Sequence, residues 1–323
     1  ETALVTASWF VLNISMGSST KWLFIHGQIC REGENGGGCR AYKFPLTITM
    51  VHMVFSWVMC RVHIYHLRSK SLRVTLTLAQ QVNKVAPLAC CFALSVAMGN
   101  LSLKYIYPSF NQMLGSMSPL ITVAMALVFQ RKRYNAWTWV SMPIICGGLV
   151  VCSAREVNFD AFGALFATGA TLLRSAKSII QGRLLSPNER LDSVTLLYYM
   201  APWSAAMLLC FVLWFEGTEP FELLLSGFRD SGARGGPYVL VLLVASGLNA
   251  CFLNVANFLV TAYTSAVTLQ VLGNVKNCLA IVISVTVFRN PLTFAQAIGM
   301  LTCLFGVWLY NRKGGTVKPA SKE

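Results

Sequence analysis

Apolar residues run along this chain in long blocks, each close to the roughly 20 residues an α-helix needs to cross a bilayer. Short polar stretches separate them. The pattern predicts ten helices, at about 3–25, 45–63, 86–104, 109–130, 136–153, 160–182, 193–215, 237–260, 264–288 and 293–311. The fourth and ninth blocks share a fragment, "QMLGSMSPL" from Gln112 and "QVLGNVKNC" from Gln270. Gln112/Gln270, Gly115/Gly273, Arg131/Arg289 and Gly148/Gly306 all keep an offset of 158 residues, and Lys21 and Lys177 lie 156 apart. A repeat of five crossings is odd, so its second copy enters the membrane upside down. The expected fold is an all-α polytopic membrane protein of ten transmembrane helices, built as a 5+5 inverted repeat. Residues 1–154 form the first copy and 155–323 the second, with a short C-terminal tail.

Composition agrees. The 323 residues are 55% hydrophobic and 12% charged, whereas soluble domains carry about 25% charged residues. A net charge of +14 raises nucleic acid as a partner, but its distribution argues otherwise. Arg61, Arg68, Lys70, Arg73 and Lys84 cluster around the link after the second block. Arg131, Lys132 and Arg133 follow the fourth, Arg183 and Arg190 the sixth, and Arg312, Lys313, Lys318 and Lys322 close the chain. The intervening links carry Glu32, Glu34, Glu156, Asp160, Glu216, Glu219, Glu222 and Asp230. This alternation is the positive-inside pattern, and it puts both termini in the cytosol. The partners expected are membrane lipid and no nucleic acid; assembly as a homodimer is left open. The 11 cysteines include no CxxC and no zinc-type spacing, so no metal and no cofactor is expected. Cys30 and Cys39 share a non-cytosolic link and could pair. The chain opens on Glu1, so a further N-terminal tail is expected before it.

Candidate chemistry lies inside the blocks. Lys21, Arg174, Lys177 and Lys276 fall within them, whereas all 12 acids fall in links or at termini. A cation at bilayer depth costs roughly 2.5–3.5 kcal/mol on insertion scales. Lys21 is near a block end and can snorkel to the interface. Arg174, Lys177 and Lys276 are more central and are expected to line an anion site. Arg174, Lys177, Ser178 and Gln181 share one helical face, as do Gln270, Gly273, Asn274 and Asn277, with Lys276 on the flank. Gln112, Gly115, Ser116 and Pro119 offer a third polar face, and Asn254, Asn257 and Thr261 a fourth. Polar stripes of this kind can also simply glue membrane helices together. Pro119, Gly273 and Gly115 are the candidate kinks or hinges. Enzymatic readings find no support: there is no HExxH, GxSxG or GxxxxGK[ST], and His26, His52, His63 and His66 are read as lying at or near block ends. No catalytic residue is assigned.

The segments "PSFNQMLGSMSPL", "LLRSAKSIIQGRLLS", "LDSVTLLYYMAPW" and "NFLVTAYTSAVTLQVLGNVKNCLAIVISVTVFRNPLT" resemble the triose-phosphate translocator and nucleotide-sugar transporter family of the drug/metabolite transporter superfamily. The likeness is greatest to its secretory-pathway sugar phosphate/phosphate translocator branch and covers nearly the whole chain. It implies ten helices, a 5+5 inverted repeat and obligate exchange of phosphorylated solutes. Lys276 matches a phosphate-gripping lysine of the plastid members, but Asn277 stands where they carry arginine. Lys177 matches a basic phosphate-binding position. The plastid His, Thr and Lys of the fourth helix fall near Gln112, Met113 and Gly115, and Asn254 replaces a substrate-contacting tyrosine. Fewer cations and more amides suit sugar hydroxyls and base edges. The expected function is therefore a Golgi or ER antiporter exchanging a nucleotide sugar for a nucleoside monophosphate. The alternative is a sugar-phosphate/inorganic phosphate exchanger, and a plastid envelope location is less favoured. Lys276, Lys177, Arg174 and Lys21 would hold phosphate; Gln112, Asn254, Asn257, Gln270, Asn274 and Asn277 would read sugar or base.

Overall fold

The computed structural model describes residues 1–31, 38–67, 75–131, 133–153, 160–186, 189, 191–229, 233–288 and 294–314. Helices occupy all ten predicted stretches: α1 (Thr2–His26), α2 (Pro45–Val62), α4 (Ala86–Ser102), α5 (Pro108–Gly115) with α6 (Ser118–Gln130), α7 (Ala136–Ser153), α8 (Ala161–Leu184), α9 (Ser193–Phe215), α11 (Gly236–Tyr263), α12 (Ala266–Phe288) and α13 (Phe294–Lys313). Five segments are by themselves long and apolar enough to cross a membrane: Pro45–His66, Leu78–Ser102, Phe110–Gln130, Ser193–Phe215 and Gly236–Tyr263. The repeat partner Arg289 lies outside the described residues.

Several elements depart from the expected boundaries. The third helix begins eight residues earlier than expected, at the short α3 (Leu78–Gln80), and runs through a π-helical turn, Gln81–Val85, into α4. Thr77 and Gln80 form a reciprocal capping box there. The fourth block is not one continuous helix. It breaks after Gly115 and restarts at Ser118, with Pro119 in the first turn of α6. Proline lacks an N–H and its ring clashes with the carbonyl four residues back, here that of Gly115. Two elements were not foreseen: a short helix α10 (Glu219–Arg229), and a three-stranded antiparallel sheet in the order β2-β1-β3, from β1 (Gln28–Arg31), β2 (Cys39–Ala41) and β3 (Ala233–Arg234). Cys30 and Cys39 face each other across β1 and β2 and are joined by a disulfide.

The chain forms two compact units, each taking pieces from both halves. Unit 1 comprises Glu1–Ala93 and Leu184–Val260. Here α2 packs along α9, and a core of Leu23, Ile29, Tyr42, Ile48, Val239 and Leu243 lies beneath the sheet. The start of α2 is held from far along the chain. The Glu216 carboxylate accepts from Leu46 N (2.8 Å), Thr47 N (2.9 Å) and Thr47 Oγ1 (2.6 Å). Those N–H groups have no partner within their own helix, and the helix dipole favours an anion at that end. Tyr42 lies buried close by; its burial, and secondarily the Glu216 charge, push its phenol up to about 12.

Unit 2 comprises Leu94–Arg183 and Thr261–Glu323. Here α7 packs along α13, and α12 against α6, around Val123, Met142, Ile145, Leu149, Val271, Cys278 and Cys303. Close approach of α7 and α13 depends on two glycines. A Cβ on Gly148 would meet Cys303 N at 2.5 Å, and one on Gly306 would meet Ile145 N at 2.9 Å. Small residues at such crossings let backbones touch.

Candidate functional site

Within unit 2 the break between α5 and α6 organises the polar residues. A helix interruption strands carbonyls that lipid cannot satisfy, so side chains must. Ser118 Oγ donates to Gly115 O (2.6 Å), and the Asn274 amide of α12 donates to Ser116 O (2.9 Å). Ser175 Oγ of α8 reaches Ser118 O at 3.3 Å, and Cys146 Sγ of α7 reaches Ser116 O at 3.4 Å. Side chains of three further helices, α7, α8 and α12, thus converge on one irregular stretch of backbone.

The cations gather beside it. A Cβ on Gly115 would lie 3.5 Å from Arg174 Nη1, so the guanidinium stands against the break itself. Lys177, one turn on along α8, and Lys276 on α12 both lie within electrostatic reach of Arg174. Arg174 keeps exposed surface and the two lysines are half-buried. Three like charges in one small region repel one another, so an arriving anion lowers their energy. Arginine contributes a planar fork suited to two phosphate oxygens, whereas the lysines act as point charges. The N-terminus of α6 opens in the same place, and its dipole adds positive potential.

The amides divide by role. Gln270 donates to Ser178 Oγ (2.7 Å), and Gln181 to Thr261 Oγ1 (2.7 Å). With Asn274 on the Ser116 carbonyl, these groups fix α12 and α8 around the break. Asn274 and Gln270, expected to read sugar or base, therefore already have protein partners. Asn277 is half-buried beside Lys276, and Gln112 is exposed on α5. Of the expected hinges, Gly115 ends α5 and Pro119 opens α6, but α12 runs unbroken through Gly273.

The remaining candidates belong to unit 1. Lys21 is exposed on α1. Asn254 lies 3.5 Å from Ser56 Oγ, and Asn257 Oδ1 accepts from Trp9 Nε1 at 2.5 Å, both tying α11 to neighbouring helices. His52, read from the sequence as at or near a block end, is instead buried inside α2 and bonded to Ser246 Oγ at 2.8 Å. No group of three potential metal ligands occurs among the described residues. The backbone break itself was missed as a structural unit. The run Ser116-Met117-Ser118-Pro119 signals it, because Ser and Pro mark helix starts.

A family model described as the Triose-phosphate Transporter family matches residues 2–311. Among curated proteins, a probable sugar phosphate/phosphate translocator of Arabidopsis thaliana is 35% identical over 312 residues, covering 96% of this chain and 81% of that protein. UDP-uronic acid transporter 1 of the same plant is 35% identical over 306 residues, covering 94% and 92%. A solved crystal structure shares the fold with a TM-score of 0.64, 14% identity and 95% coverage of both chains. Matched over almost its whole length, this chain belongs to the triose-phosphate transporter family, whose members are membrane transporters and not enzymes.

Proposed function

We propose that this protein is an antiporter that exchanges a nucleotide sugar for a nucleoside monophosphate across a Golgi or ER membrane by alternating access. The observation that carries the proposal is the Arg174 guanidinium standing against the α5–α6 break, with Lys177 and Lys276 within its electrostatic reach, in a chain whose acids all lie outside the spans. Broken helices whose N-termini face an anionic group are how transporters meet substrate within the bilayer. Arg174 and the two lysines bind the phosphates, with Asn277 and Gln112 as the amides offered to sugar or base. Coupling follows from electrostatics: moving three like charges across the membrane without an anionic guest is costly, and the guest lowers that cost.

The ten-helix 5+5 inverted repeat belongs to the same reading. A two-fold relation requires each contact to recur with the partners exchanged. The Gly148–Cys303 and Gly306–Ile145 approaches are such a pair, since each residue maps onto its counterpart at the 158-residue offset. Ser116 and Asn274 are themselves 158 apart and hydrogen-bonded. The Cys30–Cys39 disulfide supports placing the α1–α2 link in an oxidising lumen, which with the basic links leaves both termini cytosolic.

A sugar-phosphate/phosphate exchanger is the second reading, favoured by the likeness to the probable sugar phosphate/phosphate translocator of Arabidopsis. Purified protein in liposomes preloaded with UMP, GMP or inorganic phosphate separates the two when offered labelled nucleotide sugars and triose phosphate. Nucleotide-sugar uptake that requires internal nucleotide supports the antiporter. Triose-phosphate uptake driven by internal phosphate alone would overturn it in favour of the second reading.

A further inference from the structure

The 11 residues of α10 present three different faces. Phe221, Leu225 and Phe228 are 40%, 61% and 50% exposed, and at about 100° per residue they fall within an arc of roughly 60°. Leu223 and Leu224, on a second face, pack onto the unit 1 core. Gly227 completes that face, in such close contact with Gly236 that a Cβ there would meet Gly236 Cα at 2.9 Å. Glu219, Glu222 and Ser226 occupy the third face, along a cleft of about 230 Å³ shared with Ile29, Gly38 and Arg40. The packed face locks the helix about its own axis, so the apolar stripe cannot turn inward. Exposing three large apolar side chains to water in one stripe is unfavourable, and such stripes mark a surface made to be covered.

The chain itself indicates the cover. Only three residues separate α10 from the end of α9, and α11 begins at Gly236, so two candidate spans flank the helix closely. The last turn of α9 exposes Leu213 and Trp214, and the first turns of α11 expose Tyr238, Leu240 and Val241. An exposed apolar belt of this kind on a membrane-spanning helix is its lipid-facing surface, and three residues join it to α10. Glu219 is paired with Arg40 at 2.5 Å, and Glu222 accepts from Thr218 Oγ1 at 2.5 Å. The polar face is therefore internally balanced and needs no anionic lipid. We propose that α10 is an interfacial helix. It lies in the headgroup boundary of the leaflet where α9 ends, with Phe221, Leu225 and Phe228 among the acyl chains and Glu219, Glu222 and Ser226 in water. Amphipathic helices with polar and apolar faces so divided settle at that depth. The anchor adjoins a structural cap, because Glu216, which holds the start of α2, lies three residues ahead of it.

The test uses the full chain in phosphatidylcholine nanodiscs, where both faces of the bilayer are accessible. Glu222→Cys and Leu225→Cys variants are treated with a charged, membrane-impermeant maleimide, with the unsubstituted protein as background. Leu225→Cys should react at least about tenfold more slowly than Glu222→Cys; equal rates would overturn the proposal. In a parallel arm, p-benzoylphenylalanine at position 225 is photoactivated. A phospholipid adduct is the expected product. A cross-link to a second copy of the chain, or no lipid adduct at all, would replace the bilayer with another occupant and overturn the proposal.

Discussion

The two units put charge to different uses. Around the disulfide-bearing end of unit 1, and at its other links, charged groups are answered by partners from the protein. Glu216 sits on the N-terminus of α2, Arg40 on Glu219, and Lys84 on Glu189. In unit 2 the cations Arg174, Lys177 and Lys276 converge on a helix break, within helices that contain no acid. The first arrangement holds elements together, and removing one member leaves a defect in the fold. The second brings like charges within reach of one another, and an arriving anion lowers their energy. Charge-removing substitutions in the two regions should therefore separate cleanly: loss of stability in unit 1, loss of transport in unit 2.

The largest expected effect is in unit 2. Lys276→Ala should reduce exchange in proteoliposomes by at least about 100-fold, the scale expected when one strong charged contact is lost. Its melting temperature should hold, because removing one of three like charges relieves their mutual repulsion. Near-normal exchange would exclude Lys276 from the anion site. A collapse in melting temperature would make it a structural residue and undo the contrast. Next in size is Glu216→Gln. The amide keeps the shape but loses the charge and can no longer accept at all three hydrogen bonds. Bonds to a charged group contribute about 1.5–3 kcal/mol, so thermal denaturation should shift down by several degrees, with residual exchange at permissive temperature. An unchanged melting temperature would mean that the cap does not hold α2.

How much of this was legible follows from where each signal resides. The spans were legible because lipid imposes one requirement, a long apolar run, which the sequence states directly. The first turn of the third helix was legible only in principle, in the Thr77–Gln80 spacing, because its flanking residues are polar. Pro119 announced an irregularity, but not its form: the carbonyls released at Gly115 and Ser116 are satisfied by Ser118 and Asn274, and Asn274 is 158 residues beyond Ser116. The sheet was illegible for the same reason. β1 and β2 have four and three residues, too few to show a period, and β3 joins β1 from the far half of the chain. Among the candidate residues, Arg174 stands at the break with Lys177 and Lys276 within its electrostatic reach, Lys21 belongs to unit 1, and Gln270 and Asn274 are bonded to the scaffold. An amide looks alike in sequence whether it meets a guest or a neighbouring helix. A cation in an apolar span does not admit the second role so cheaply.

The smallest effect returns to unit 1 and depends on the sign of a proton shift. Tyr42 lies outside the spans, and burial first, then the Glu216 charge, raise its phenol from 10.0 to about 12. The folded protein thus holds this proton more tightly than the unfolded chain does. The resulting stability is fully present below pH 10 and is lost as the pH rises towards 12, at about 1.4 kcal/mol per pH unit once the unfolded phenol has ionised. Tyr42→Phe keeps the ring, which stacks edge-on against Phe44, and removes the titrating group. Between pH 9 and 11 the melting temperature of the variant should therefore fall less steeply than that of the parent protein, with the two curves parallel below pH 9. Because Glu216 is part of the cause, Glu216→Gln should also flatten the parent's alkaline slope slightly, linking the cap and the phenol. Parallel curves up to pH 11 would mean that the phenol ionises without resistance, and that the interior of unit 1 tolerates an added charge as readily as its surface does.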